Sequence, residues 1–122
     1  MPETLFQKYG GYATLTRVVE AYYDKARDSE VLGPYFDGAD IRGLVKHQTE
    51  FVGSLMGGPQ SFSNKELQQI HRHFDITDAA FSTMVKLMRQ TLEQFYFEDP
   101  DIEVIEDKLL RRRRYIVSPN AY

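Results

Sequence analysis

The three histidines, His47, His71 and His73, are the side chains of this sequence best equipped for chemistry. Imidazole titrates near neutrality and ligates transition metals well. His71 follows Leu67 and Ile70 at helical spacing, so on a short amphipathic helix its ring leaves on the apolar side and points inward. Such a residue is either a hydrogen-bonded core histidine or a ligand. His47 shares a helical face with Leu44 and Phe51, and Gln48 borders the same stripe. Two polar groups on the inner edge of one helix cost stability unless each finds a partner. Tyr23 brings a hydroxyl from another segment, which also needs a partner once buried. Two arrangements answer this: a tyrosine–glutamine hydrogen bond inside a helical bundle, or a cavity that these groups line around a polar guest.

Other chemistries find little footing. Neither Glu-x-x-His nor His-x-x-x-His occurs, which disfavours a zinc or di-iron site. There is no glycine-rich phosphate loop after a strand and no G-x-S-x-G elbow. The absence of cysteine removes disulfides, thiolate metal sites and catalytic thiols. A net charge of −3 lacks the basic balance of a dedicated nucleic-acid binder. The run Arg111 to Arg114 would attract phosphate, yet on a helix its members point in all directions. It complements the dipole at the end of a helix whose first turns are acidic. No apolar run approaches the roughly 18 residues of a membrane span, and Met1-Pro2-Glu3 shows no leader pattern, so a cytoplasmic protein is expected.

The elements that must position these residues are helical almost throughout, which predicts an all-α chain folded as one domain over residues 1–122. Leu15, Val18, Val19, Tyr22, Tyr23 and Ala26 stripe a first long helix that breaks near Gly33-Pro34. Asp40 caps a second, which carries Leu44, His47, Gln48, Phe51, Val52 and Leu55 and ends at Gly57-Gly58-Pro59. Ser63-Asn64-Lys65-Glu66 reads as a capping box for a short helix toward His71. Thr77 opens a long helix with Phe81, Met84, Val85, Met88, Leu92 and Phe95 on one side. Asp99-Pro100 restarts the chain as cap and first-turn proline, and one last helix carries Ile102, Ile105, Leu109 and Ile116.

The order Tyr9-Gly10-Gly11, Tyr22-Tyr23, Tyr35-Phe36, Leu44-Val45-Lys46-His47-Gln48, Phe51, Gly57-Gly58-Pro59, His71, Ile76-Thr77 and Phe81 resembles the truncated haemoglobins, specifically group I. The likeness runs from about Thr4 to Val117. It implies a two-over-two helical sandwich around haem b, with His71 as the proximal iron ligand and Phe36 packed on the porphyrin. Tyr23 resembles the tyrosine whose hydroxyl stabilises bound oxygen, and Gln48 the distal glutamine that joins it. Leu44 takes the place facing the ligand, and Leu67, Ile70, Phe74, Ile76, Phe81, Met84 and Met88 are expected pocket walls. His47 resembles the histidine that closes on iron as a second axial ligand in cyanobacterial members; its other role would be at the rim, toward a propionate or solvent.

The resemblance further implies O2, NO or CO as ligands, with nitric-oxide dioxygenation or a related redox activity fed by an external reductase, in a monomer or weak dimer. Neither a nucleic acid nor a membrane is an expected partner. A haem-based gas or redox sensor, or an oxygen-binding module without turnover, is the alternative. Some positions depart from the family pattern. Tyr22 stands where phenylalanine is frequent, Asp75 where glycine is frequent, and Val52 where a bulkier gate can sit. His73 faces another way from His71 on a helix and is expected to be exposed or near a propionate. The ending from Tyr115 to Tyr122 has no histidine for a covalent haem link.

Overall fold

The computed structural model describes residues 3–71 and 74–117. Apolar stripes set the long helices, and several helices start at a side chain that closes the first turn. A capping box between Thr4 and Gln7 opens the short α1 (Leu5–Lys8). The first long helix, α2 (Gly11–Asp28), buries Leu15, Val18, Val19, Tyr22, Tyr23 and Ala26. A 3-10 turn over Gly33–Phe36 leads to α3 (Ile41–Leu55), where the Asp40 carboxylate accepts the Gly43 N–H at 3.3 Å. The short α4 (Asn64–His71) starts where Ser63 Oγ accepts the Glu66 N–H at 3.1 Å and Glu66 accepts the Ser63 N–H. Thr77 caps α5 (Asp78–Gln94) through the Ala80 N–H at 3.0 Å.

The last segment differs from the expected single helix. Glu98, not Asp99, occupies the cap position of α6 (Asp99–Leu110), with no side-chain bond to the first turn. The helix then stops at a turn over Arg111 and Arg112, and α7 (Arg113–Ile116) follows. At that turn an Arg112 guanidinium N–H donates to the Lys108 carbonyl at 2.7 Å, satisfying one of the carbonyls left open at a helix end. Ile116 and Val117 fold back into the core.

Packing arranges these helices in two layers. One layer is α2 on α3 and the other α5 on α6; α2 also crosses α5, and α3 crosses α6. The short α4 lies against α7 at one end. No strand occurs among the described residues, nor any helix long and apolar enough to cross a membrane. The corner after α3 needs glycine. Gly57 has φ +87°, and a Cβ at Gly58 would lie 2.9 Å from the Gly53 carbonyl. That closeness lets the Phe6 N–H reach the Met56 carbonyl at 2.9 Å, which docks α1 on the end of α3.

Candidate functional site

A cavity of about 190 Å³ opens among α2, α3, α4, α5 and the α6–α7 segment. It gathers Tyr23, Phe36, Leu44, His47, Gln48, Ile70, His71, Phe74, Ile76, Phe81, Met84 and Met88 into one wall. Leu67 is the exception among the expected wall residues. It is buried in a separate cluster with Phe51 and Leu55, against which Phe62 packs. Its contribution to the site is its carbonyl, which accepts a hydrogen bond from His71 Nδ1 at 2.8 Å. Periodicity alone placed Leu67 and His71 on one face; the rotation of α4 against α3 turns Leu67 away from the cavity.

The bond to Leu67 puts the His71 proton on Nδ1, leaving the Nε2 lone pair free for a ligand. Burial lowers the His71 pKa below its usual value. The Leu67 carbonyl opposes that shift, and the nearby His47 adds to it. The ring is therefore held neutral at pH 7, the form that ligates metal. His47 stands half-buried, edge-on to Phe62 with ring centroids 5.5 Å apart, and Phe62 meets Phe51 at 5.9 Å.

On α2, Tyr23 is buried, with its ring edge-on to Phe36 at 5.4 Å and to Tyr22 at 5.2 Å. Burial pushes its hydroxyl pKa far above the ordinary tyrosine value, so it stays a proton donor at any physiological pH. Among the described residues it makes no hydrogen bond with Gln48, and the two polar groups face the same cavity. The tyrosine–glutamine bond that would have made this an ordinary core is therefore not formed.

The wall also contains residues that spacing did not single out as pocket-facing, including Tyr35, Phe51, Val85, Leu109 and Ile116, together with Tyr22 and Val52. Leu109 and Ile116 were visible only as an apolar stripe, because the crossing of α6 over α3 decides which part of that stripe meets a void. The Tyr35 hydroxyl donates to the Asp75 carbonyl at 3.0 Å and accepts the Thr77 N–H, holding the turn between α4 and α5. Asp75 itself has φ +48°, the left-handed conformation that glycine adopts without strain. His73 lies outside the described residues.

Two crossed helix pairs closed on an apolar cavity, with one neutral imidazole aimed into it, define a truncated globin. The sequence model of the family described as "Bacterial-like globin" matches residues 4–117, and the chain belongs to that family. It is 26% identical over 98 residues to a group 1 truncated haemoglobin of Tetrahymena pyriformis, covering 80% of this chain and 81% of that protein. A group 1 relative from Mycolicibacterium paratuberculosis is 30% identical over 76 residues, 62% of this chain and 56% of its own. The Fe(III) crystal structure of the Tetrahymena pyriformis protein superposes with a TM-score of 0.85 at 22% identity, covering 95% of this chain and 99% of that one. A group II truncated haemoglobin of Bacillus anthracis gives 0.83 at 22% identity, covering 98% of this chain and 95% of that one.

Globins bind haem and small gas ligands such as O2, and the cavity suits a haem on its own terms. Its walls are mostly apolar side chains, and the Nε2 of His71 is unprotonated and free. The two donor groups lack protein partners among the described residues, and Phe74, 44% exposed, marks where the cavity meets solvent. These are the features a porphyrin needs: a nitrogen ligand for iron, dry faces, and a wet edge for its carboxylates.

Proposed function

We propose that the protein holds haem b through His71 Nε2 and binds O2, NO or CO, using Tyr23 and Gln48 as donors to the gas. In this reading it works as a nitric-oxide dioxygenase supplied by an external reductase. When bound, the haem supplies an iron that takes diatomic gases and exchanges single electrons. This chain does the rest. The Leu67 carbonyl fixes the tautomer and orientation of His71. Ile70, Ile76, Phe81, Met84 and Met88 exclude water, and Phe36 and Leu44 fill the space beside Tyr23 and Gln48. Removing water strengthens each hydrogen bond made inside the cavity.

The Tyr23 hydroxyl and Gln48 amide would provide two donors to a small ligand that carries partial negative charge in the cavity. A charge-assisted bond of this kind is worth about 1.5–3 kcal/mol, so each donor alone slows ligand escape by roughly ten- to about 150-fold. Slow escape favours reaction over delivery. In the proposed reaction nitric oxide, dioxygen and one electron from the reductase would together give nitrate. His47, lining the same cavity near His71, serves as a reversible competitor for the iron and sets how readily a gas enters.

The observation that carries this reading is the pairing of an unprotonated imidazole nitrogen with two unpartnered donors around one apolar cavity. Nitrate formed per nitric oxide consumed, measured on the haem-loaded protein with a reductase and NADH, tests it. Multiple turnovers to nitrate that fall in the Tyr23→Phe variant are expected. An oxygen complex inert to nitric oxide would instead favour a sensor or an oxygen-binding module.

A further inference from the structure

We propose that the concave face at the α6–α7 junction binds a multivalent, phosphate-bearing small anion. The depression has a volume of about 400 Å³, within the range of small-molecule clefts. Three separate elements wall it: the end of α3 at Ser54 and Leu55, the first residue of α4, Asn64, and the junction itself. It lies outside the cavity of His71 and shares none of its lining residues.

Charge makes this face unusual. Lys108, Arg111, Arg112 and Arg114 all line it and no carboxylate does, in a chain whose net charge is −3. Arg111 pairs with Asp107 at 2.8 Å, but both side chains are more than half exposed and such pairs hold little energy. Among the described residues Lys108, Arg112 and Arg114 have no carboxylate partner. Arg114 lies over the Tyr115 ring instead, 5.6 Å from its centroid.

Two of these cations are held in place without being neutralised. Lys108 Nζ donates to the Leu55 carbonyl at 3.1 Å, and an Arg112 N–H donates to the Lys108 carbonyl at 2.7 Å. An ammonium has three donors and a guanidinium five, so each keeps most of its donors free. Their positions are fixed by folding, which lowers the ordering cost of binding. Asn64 adds an amide beside them. Planar guanidinium forks match phosphate oxygens two at a time, and a singly charged carboxylate would leave most of this positive charge uncompensated. A di- or triphosphate group supplies both the charge and the number of acceptors. The break between α6 and α7 thereby acquires a role, since it turns Arg112 back onto α6 and brings Arg114 to the same depression as Lys108.

The test is calorimetric titration of the haem-loaded protein with pyrophosphate at low ionic strength. Saturable one-to-one binding is expected, weakened about tenfold or more in the Arg111→Gln/Arg114→Gln double variant and recovered in part by lysine at both positions. Both arginines are exposed, and circular dichroism of each variant verifies the fold. Sedimentation with vesicles of phosphatidylcholine, with or without phosphatidic acid, separates the sources. Pyrophosphate-competed sedimentation with phosphatidic acid alone assigns a lipid headgroup, and its absence beside saturable pyrophosphate binding assigns a free anion. No saturable binding of pyrophosphate, equal binding by the double variant, or binding of a polyglutamate peptide in place of pyrophosphate overturns the proposal.

Discussion

Replacing Tyr23 by phenylalanine removes one oxygen atom from the cavity wall and should change ligand release far more than folding stability. The ring is 4% exposed and held edge-on by Phe36 and Tyr22, so phenylalanine keeps its packing. Without haem the hydroxyl has no hydrogen-bond partner among the described residues. The buried hydroxyls left unpartnered are those of Tyr12 and Thr49, whereas that of Tyr23 meets the cavity, where water can satisfy it, so the stability of the variant apoprotein should stay within about 0.5 kcal/mol of the natural one's. With haem and oxygen bound, the same hydroxyl donates to a partly charged acceptor, a bond worth about 1.5–3 kcal/mol. Its loss should speed oxygen release by about 10- to about 150-fold. Urea unfolding of the apoprotein measures the first effect, and stopped-flow displacement of oxygen by carbon monoxide the second. An unchanged release rate together with a destabilised apoprotein would show the hydroxyl engaged with the protein and refute the reasoning.

Other residues make equally direct predictions. His47→Ala should convert a low-spin ferric absorption spectrum to a high-spin or hydroxide form; an unaltered spectrum removes His47 from the iron. Tyr96, 90% exposed at the end of α5, has φ +63°, and Tyr96→Gly should raise stability by about 0.5 kcal/mol in urea titration after the extra freedom of unfolded glycine is subtracted. A loss of stability would contradict the strain assigned to that turn. The apoprotein's pH profile should carry the signature of His71. Its folded pKa lies below the unfolded value of about 6.5, so the unfolded chain takes the proton first. This contribution is complete above about pH 6.5 and is lost as the pH falls from there through the lower folded pKa. A His71→Gln variant should lack that slope, and an identical profile would argue against the buried neutral ring.

Local signals were the legible part of the chain. The caps at Asp40 and Thr77 and the Ser63/Glu66 box announce three helix starts because each is a contact between residues three apart, written within one turn. The stripe from Leu15 to Ala26 gave α2 and its buried face for the same reason. Residues whose role depends on rotation or crossing were illegible. Leu67 and Ile70 are both apolar on α4, yet only Ile70 reaches the cavity, since Phe51, Leu55 and Phe62 take up Leu67. The break at Arg111 and Arg112 was hidden because arginine is a good helix former and only the tertiary fold of Ile116 and Val117 requires it. Asp75 shows the middle case. Its position was marked as unusual in the sequence, and its positive φ explains why the turn after α4 favours glycine.

Hemin titration of the purified apoprotein, followed by absorption spectroscopy beside the His71→Ala variant, tests the central assignment most directly. Stoichiometric binding with a sharp Soret band in the natural protein, and most of that affinity lost in the variant, is the predicted result. Failure of the natural protein to take up hemin, or an identical spectrum and affinity in the variant, would contradict the account.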